Sequence, residues 1–365
     1  MNNIQNEVSS KDIIIFKNIS NIDKFNFYEY LSVMIDAGVG ISGALESVTD
    51  KIANPYFKQR IKELLVFISS GDSLSKAMKK DPNVFSQHEV SIVEAGEATG
   101  TLSTSLLNIA NNLKKRDELQ KKIKGALTYP IIIFLFLLVA VIVVLTYVIP
   151  AIMPLFENAE AQLPTATKAL IATSNFVSHN FLVILLFIFT VFVFFVGFKS
   201  TKTGKERLDN MILGVPLVGK IYRNYILANI SSSLGNLIGA GVPTLKALKL
   251  VGKSSGSYVY EQIFELVTRR VEVGEKIVDS MKEVDEEKFY FPPAFLQMLS
   301  VGEKTANIEE ISIKIYNQYN REVEYSLGNL TKWIEPMAIL LASGFVIWFA
   351  FAIFGAIMKI TEVIS

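Results

Sequence analysis

The sequence predicts an all-α, polytopic membrane protein with three transmembrane helices and two duplicated cytoplasmic helical-bundle modules. Three observations lead to this fold class. The chain has three long apolar segments without a charged residue, apolar residues elsewhere recur at helical spacing, and one pattern of residues occurs twice. Because 50% of the 365 residues are hydrophobic and the mean hydropathy is +0.37, we expect a membrane protein with sizeable polar parts.

An internal repeat organises the chain. The pair Gly96-Glu97 returns as Gly302-Glu303, and the string Ala37-Gly38-Val39 returns as Ala240-Gly241-Val242. The second copy is three residues longer in the region equivalent to residues 77–96. One module is therefore predicted twice, once before the first apolar segment and once before the third.

The first module is predicted for residues 25–130, after a flexible N-terminal lead-in over residues 1–24 that is rich in polar and charged residues. Glycine and proline breaks divide the module into about six helices, and the last is long and starts near Thr101. Only Gly125 and Pro130 interrupt its pattern, so we expect it to continue into the first apolar segment. One amphipathic stripe has residues three and four apart: Phe57, Ile61, Leu64, Leu65 and Ile68.

Three segments are long enough to cross a bilayer, which takes about 20 apolar residues. They are residues 131–149, 181–198 and 337–358. The middle segment is the shortest, and a buried core helix is its alternative interpretation. The repeat argues against that alternative, because two equivalent spans that start on one side of the membrane need a return crossing between them.

The distribution of basic residues predicts the orientation of the spans. Six lysines and arginines lie in residues 114–124, and four lie in residues 199–207, whereas residues 150–180 contain one lysine. We therefore expect the N-terminus and both modules, the second over residues 199–336, in the cytoplasm. The loop or helix over residues 150–180 and the tail over residues 359–365 are expected outside.

No catalytic constellation is found in the sequence. The chain has no cysteine and two histidines, so thiolate chemistry is excluded and a histidine-rich metal site is not expected. A net charge of +1 gives no argument for nucleic-acid binding. Residues 214–220 fit GxxxxGK, but Ile221 replaces the Ser or Thr of a P-loop and Pro216 lacks an N–H group. We expect neither enzymatic activity nor a cofactor.

The repeated carboxylates Glu97 and Glu303 have two interpretations. The simpler is charge placement and capping at the start of the following helix. The alternative is a partner-binding or cation-binding edge shared by the two copies. The repeated glycines Gly38 and Gly241 are expected just past helix ends, in the left-handed conformation that glycine adopts without strain.

The three spans carry no ionisable residue, which opposes ion or proton transport. A small-solute transporter or channel subunit is nevertheless the alternative to a structural role. Polar residues in the spans, such as Thr146, Tyr147 and Ser343, are expected to mediate helix packing.

Several strings together resemble one known family. Residues 31–45 read LSVMIDAGVGISGAL, their second copy at residues 234–248 contains Pro243, residues 96–102 read GEATGTL, and Pro164 lies in the string LPTAT. In order and spacing these resemble the GspF/PilC family, the platform proteins of type II secretion systems and type IV pili. Departures are Gly40, where the second copy has proline, and Ala306, where the first copy has glycine. The residues that carry the resemblance and could form a partner interface are Gly38, Gly96, Glu97, Gly100, Pro164, Gly241, Pro243, Gly302 and Glu303.

The resemblance implies a six-helix bundle for each module and a non-enzymatic assembly platform in the bacterial inner membrane. The implied partners are a cytoplasmic secretion or pilus ATPase, pilins or pseudopilins, other inner-membrane components of the machine, the lipid bilayer and further copies of the chain. Nucleic acid is not among them.

Overall fold

A computed structural model describes residues 19–157 and 164–364 of the chain. Over these residues the protein forms sixteen α-helices and one π-helical stretch, without a β-strand. The predicted all-α class is therefore confirmed. Most of the predicted lead-in (residues 1–18), part of the predicted loop (residues 158–163) and Ser365 of the tail lie outside the described residues.

The first module has the six helices that its glycine and proline breaks predict. The last of them is long and begins one residue after Thr101. The helices are α1 Asn21–Asp36, α2 Ile41–Lys51, α3 Pro55–Ser69, α4 Leu74–Lys79, α5 Gln87–Thr99 and α6 Leu102–Val143.

Helix α1 begins earlier than the lead-in predicted for residues 1–24 would allow. Ser20 is its N-cap, and the Ser20 hydroxyl accepts a hydrogen bond from the Asp23 N–H at 3.1 Å. The Asp23 carboxylate in turn accepts one from the Ser20 N–H at 3.1 Å. This reciprocal capping box satisfies two amides that a helix start leaves without partners, so residues 21–24 are helical.

In the second module, α11 to α16 repeat this order of six helices, and α10 precedes them as an additional helix. The three-residue length difference is now located: α14 has 8 residues where α4 has 6, and the connection to the next helix spans residues 285–292 rather than 80–86. The helices between the second apolar segment and the end are α10 Lys202–Gly214, α11 Val218–Gly239, α12 Thr244–Ser254, α13 Tyr258–Glu272, α14 Ile277–Val284, α15 Pro293–Lys304 and α16 Ile308–Ile364.

The chain forms two compact units. The first comprises the residues up to Gln120 together with Tyr222–Arg321, so it holds the helical bundles of both modules. The second comprises Lys121–Ile221 and the residues from Glu322 onward, and it holds the three apolar segments.

Aromatic side chains lie in the core of each bundle of the first unit. In the first module Phe27 contacts Tyr28 and Phe57 edge to face, with ring centroids 5.0 and 5.5 Å apart. In the second, Phe291 contacts Tyr260 and Phe264 in the same manner at 5.9 and 6.0 Å. Such pairs add about 0.5–1.5 kcal/mol each to the burial of their area. Of the predicted amphipathic stripe, Phe57, Ile61 and Leu64 are buried, and Leu65 and Ile68 are half-buried.

Three helical stretches are long and apolar enough to cross a membrane. They are Leu102–Pro154, Phe181–Lys199 and Ile308–Met358, and each contains one predicted span. Helix α6 continues through Pro130 for 42 residues, as predicted, and α16 continues through Pro336 for 57 residues. In both halves, therefore, one helix begins in a bundle and ends in an apolar span.

The second unit has its own apolar core, formed by Leu145, Ile149, Leu170 and Ala352. The π-helical stretch Val144–Val148 joins α6 to α7 (Ile149–Glu157) beside this core. The Ile149 N–H bonds to the Val144 carbonyl, and Pro150 has no N–H. The Leu145 carbonyl thereby loses both helical donors, and it accepts a hydrogen bond from the Ser174 hydroxyl at 2.5 Å instead.

Helix α8 (Thr165–His179) donates hydrogen bonds to other helices of this unit, and Lys122 of α6 donates one to Glu324 of α16 at 2.6 Å. The Thr167 hydroxyl donates to the Ala352 carbonyl of α16 at 2.6 Å. Thr146 and Ser343 instead donate to Ile142 and Ile339 of their own helices. A hydroxyl in a helix readily reaches the carbonyl four residues back. Such a bond leaves the side chain able to pack against another helix, so the packing role of Thr146, Tyr147 and Ser343 stays a prediction.

Candidate functional site: the repeated caps and the face shared by the modules

Glu97 caps a helix in the first module. Its carboxylate, carried by α5, accepts hydrogen bonds at 3.3 Å from the Ser75 N–H and at 2.5 Å from the Ser75 hydroxyl. Ser75 lies in the first turn of α4, where backbone N–H groups lack partners within the helix. A negative charge there also interacts favourably with the helix dipole.

Glu303 does the same in the second module. Its carboxylate accepts hydrogen bonds from the Ile277 N–H at 2.5 Å and the Val278 N–H at 3.2 Å, at the start of α14. The N-cap residue there is Lys276, whose side chain makes no capping hydrogen bond. Capping was predicted for both carboxylates, but at the following helix. The structure corrects this, because each carboxylate reaches back to the short helix that precedes its own.

Gly96 and Gly302 allow two helices to cross closely beside each carboxylate. A Cβ atom on Gly96 would overlap Ser105 of α6, and one on Gly302 would lie 3.0 Å from the Ile311 Cβ of α16. Real Cβ atoms rarely approach so closely, so a larger residue would push α5 from α6, or α15 from α16.

Gly38 and Gly241 both have φ of +83°, the left-handed conformation that was predicted. Each follows the end of a helix, and the next residue returns its N–H to a carbonyl of the last turn, Val39 to Met34 and Val242 to Leu237. Gly100 closes α5 in the same way with φ of +72°. Its counterpart, Ala306, has φ of +54°, so the sequence departure noted above carries backbone strain.

The two prolines among the residues that carry the family resemblance, Pro164 and Pro243, lie at helix starts. Pro243 is the N-cap residue of α12, and Gly40 holds the equivalent place before α2. Pro164 is the N-cap residue of α8, in the second unit, where a Cβ on Gly355 would lie 3.2 Å from its ring. The nine residues that carry the family resemblance are thus distributed over turns and helix ends, and whether they also contact a partner stays a prediction.

A charged cluster that the sequence did not reveal joins the modules within the first unit. The Glu94 carboxylate on α5 accepts hydrogen bonds from Lys79 of α4 at 2.8 Å and from Lys246 of α12 at 2.9 Å. These two bonds lower the pKa of Glu94. All three side chains are 40–52% exposed, so the pairs add little stability, about 0–1 kcal/mol each. Their consequence is that one carboxylate contacts both modules.

The apolar segments are the other candidate functional surface. On α9 (Phe181–Ser200) nearly every large side chain is exposed, including Leu182 at 77% and Phe194 at 71%. Exposed apolar patches of this size require lipid or protein contacts. Among the described residues, no group of three His, Asp or Glu side chains is arranged to hold a metal ion.

A helical chain with three exposed apolar segments of membrane-spanning length belongs to the helical integral membrane proteins. The family described as "Type II secretion system (T2SS), protein F" matches residues 27–150 and 230–356, which together are more than half of the sequence. The chain belongs to this family, and the resemblance seen in the sequence is confirmed. Each matched range runs from a helical bundle to an apolar span, in line with the internal repeat.

Curated relatives of the chain carry two kinds of name. The type IV pilus assembly protein PilC of Thermus thermophilus is 29% identical over 93% of this chain and 82% of its own length. PilC of Pseudomonas aeruginosa is 28% identical over 88% of this chain and 85% of its own length. The type II secretion system protein F of Aeromonas hydrophila is 26% identical over 92% of this chain and 85% of its own length.

Proposed function

We propose that this protein is the inner-membrane platform of a type IV pilus or type II secretion machine. It couples a cytoplasmic ATPase to the assembly of pilin or pseudopilin subunits into a filament. The names of its relatives support the machine, since they are pilus assembly proteins and type II secretion proteins. The coupling rests on one observation, the unbroken helix that joins a bundle to a span in each half.

A continuous helix can carry a displacement over a long distance. At about 1.5 Å per residue, the 42 residues of α6 extend over about 63 Å. A displacement of the bundle by an ATPase would reach the span through this rod, whereas a flexible linker would absorb it. Because α16 has the same construction, two such rods serve one chain.

The proposal requires both modules to face the cytoplasm, where ATP is available. The excess of lysine and arginine in residues 114–124 and 199–207 supports this orientation. Reporter fusions after Lys124 and Lys205 should then report a cytoplasmic location, and fusions after Ala161 and Ser365 an external one. A cytoplasmic reporter at Ser365 would remove one crossing and contradict the proposed orientation.

The exposed apolar side chains support the proposed surroundings. The bilayer covers most of them, and the rest contact further copies of the chain, other inner-membrane components or the apolar part of a pilin. Nothing in the proposal involves nucleic acid. The alternative is a small-solute transporter or channel subunit. The absence of ionisable residues from the three spans of this chain opposes it, because ion and proton pathways usually need such residues. Purified protein in liposomes tests that alternative, because a transporter should produce a substrate flux.

Photo-crosslinking in the host bacterium tests the platform directly. A photoreactive residue at Val66 or Val273, which are 63% and 79% exposed in the first unit, should capture the ATPase. A matched residue at Phe187, 68% exposed on α9, should capture only membrane proteins.

Deletion of the gene should abolish filaments or secretion, and the wild-type gene should restore them. Normal assembly after deletion would refute the proposal.

A further inference from the structure

A cleft of about 260 Å³ lies in the first unit, between the two modules. The first module contributes the start of α5 and one face of α6, and the second contributes the end of α12 and the turn after it. None of the residues that carry the family resemblance lines it. The lining residues are Ser86, His88, Glu89, Ile109, Asn112, Leu113, Arg116, Lys253, Ser254 and Gly256.

Three buried polar atoms in the lining have no hydrogen-bond partner among the described residues. They are the His88 Nδ1, the Asn112 Nδ2 and the Arg116 Nε. Asn112 is only 6% exposed, and it lies one helical turn from Arg116, so both project from one face of α6. Asn112 Nδ2 and Arg116 Nε carry hydrogens, and buried N–H groups are almost always paired, so two unpaired ones in one cleft indicate a missing acceptor. His88 is a third donor in the tautomer that has its proton on Nδ1.

The charges of the cleft are also unbalanced. Arg116 and Lys253 contribute two positive charges, and Glu89 is the carboxylate in the lining. Glu89 is engaged elsewhere: it accepts hydrogen bonds from Lys24 at 2.9 Å and from the Ser86 N–H at 2.7 Å. Among the lining hydroxyls, Ser86 completes that capping box, and Ser254 bonds to Ser233 and Val251. The groups left for a ligand are donors, with an excess of positive charge.

We propose that this cleft binds a small oxyanion, inorganic phosphate or the phosphoryl group of a nucleotide, through His88, Asn112, Arg116 and Lys253. A phosphate has several acceptor oxygens, enough for all of these donors, and arginine binds it with strong charge-assisted hydrogen bonds. The volume accommodates such an anion. The site does not rest on the proposed platform role, since it would bind its ligand whether or not an ATPase acts on this chain.

The ligand would link the two modules. Arg116 comes from α6 of the first module and Lys253 from α12 of the second, so the anion neutralises one cation from each. Bound phosphate should therefore stabilise the first unit as a whole. His88 adds a local reporter, because burial and the charge of Arg116 lower its pKa to about 4. An anion beside Arg116 would cancel that charge and raise the pKa of His88.

The test is phosphate binding by the full-length protein in detergent, at constant ionic strength set with chloride. Calorimetry should show saturable binding of inorganic phosphate, and the thermal midpoint should rise with its concentration. Adenosine monophosphate as a second titrant distinguishes the sources: tighter binding than inorganic phosphate assigns a nucleotide, and weaker binding assigns the free ion. Absence of saturable binding of either would overturn the proposal.

Variants locate the binding in this cleft. Arg116→Met and Lys253→Met should each weaken phosphate binding about tenfold or more, because each removes a charge-assisted contact. Lys253 is exposed, so its variant should fold normally. The control is Lys249→Met, an exposed lysine on the same helix outside the cleft, which should bind like the wild type. Equal losses in the control and the cleft variants would mean non-specific attraction to lysines and would refute the site.

Magnetic resonance of labelled histidine gives a readout that a purely structural role would not change. The chain has two histidines, so the His88 resonance is readily assigned with a His88→Gln variant. Phosphate should raise the pKa of His88 in the wild type, and about tenfold more phosphate should be needed for the same rise in Lys253→Met. If saturating phosphate leaves the pKa of His88 unchanged in the wild type, the anion binds outside this cleft.

Discussion

The Glu303 carboxylate accepts a hydrogen bond from the backbone N–H of Ile277 at 2.5 Å, across the 25 residues that separate them in sequence. This contact closes the short helix α14 at its start, as Glu97 closes α4. The two caps differ in one respect: α4 also has the Ser73 hydroxyl, which accepts from the Lys76 N–H, whereas Lys276 of α14 gives no such bond. The second module therefore depends more strongly on its carboxylate.

We expect Glu303→Ala to destabilise the protein more than Glu97→Ala. Loss of a helix cap costs about 0.5–2 kcal/mol, and Glu303→Ala should lie at the upper end because no side chain replaces it. Glu97→Ala should lie at the lower end, because Ser73 remains. Denaturant unfolding of the purified chain measures the difference, with the exposed Glu46→Ala as control. Equal effects of the two cap variants would show that Ser73 contributes nothing.

The caps show how far the sequence could predict this site. The repeat identified Glu97 and Glu303, and their position beside glycine indicated capping. The sequence could not indicate which helix each carboxylate caps. That depends on how α4 packs beside α5, and α14 beside α15, in the folded protein. The cleft was missed for the same reason: His88, Asn112 and Arg116 are unremarkable singly, and only the packing of the helices brings them together.

The fold was more predictable because its determinants are local. Glycine and proline breaks, apolar periodicity and long uncharged segments are properties of neighbouring residues, and they gave the six helices and the three spans. The same holds for the left-handed conformation of Gly38 and Gly241. The error occurred where a distant contact decides, as for Glu97 and Glu303, whose carboxylates cap the preceding short helix instead of the following one.

Ala306→Gly should stabilise the protein. Ala306 adopts φ of +54°, which costs an L-residue about 1–2 kcal/mol, and glycine avoids this cost. The greater freedom of glycine in the unfolded chain offsets about 0.4–1 kcal/mol of the gain, which leaves a net stabilisation of about 0.5–1 kcal/mol. Thermal unfolding measures the effect. The reverse change at the equivalent position, Gly100→Ala, should destabilise, and a loss of stability in Ala306→Gly would show that its backbone is not strained.

Removal of the hydroxyl should change the stability of the protein differently at two buried tyrosines, Tyr28 and Tyr260. The Tyr28 hydroxyl is buried without a hydrogen-bond partner in the described part of the chain, so Tyr28→Phe should be neutral or stabilising by about 1 kcal/mol. The Tyr260 hydroxyl donates to the Tyr290 carbonyl at 2.8 Å, so Tyr260→Phe should cost about 1–2 kcal/mol. Unfolding of both variants under the same conditions decides this, and a large loss in Tyr28→Phe would reveal a partner for that hydroxyl.

His88 should make the stability depend on pH. Its pKa is lowered from 6.5 to about 4, first by burial and then by Arg116, so between these values the unfolded chain binds a proton that the folded chain does not. Stability rises with pH where the unfolded state binds more protons. Stability should therefore fall by about 1–2 kcal/mol between pH 7 and pH 5, and no further His88 contribution is lost below about pH 4.

Stability measured at pH 7 and pH 5, without phosphate, tests this dependence. His88→Gln should reduce the difference between the two pH values, because glutamine does not titrate. The matched control is His179→Gln, at an exposed histidine on α8, which should leave the difference as large as in the wild type. If His88→Gln preserves the full pH dependence, another group is responsible for it.

The continuity of α6 between Lys124 and Gly125 should be necessary for assembly and unnecessary for folding. Both residues lie within the helix, which runs unbroken from Leu102 to Val143. An insertion of about eight Gly and Ser residues between them replaces a stiff connection with a random coil, which transmits little force. Membrane insertion and capture of the ATPase should persist, and filament assembly or secretion should fail. A matched insertion of about seven residues of helix-forming sequence, close to two helical turns, should retain partial function. Electron microscopy of filaments, beside a pull-down of the ATPase, gives the result.

Normal filament numbers with the flexible insertion would mean that the platform is a passive dock, because force would then not need to pass through α6.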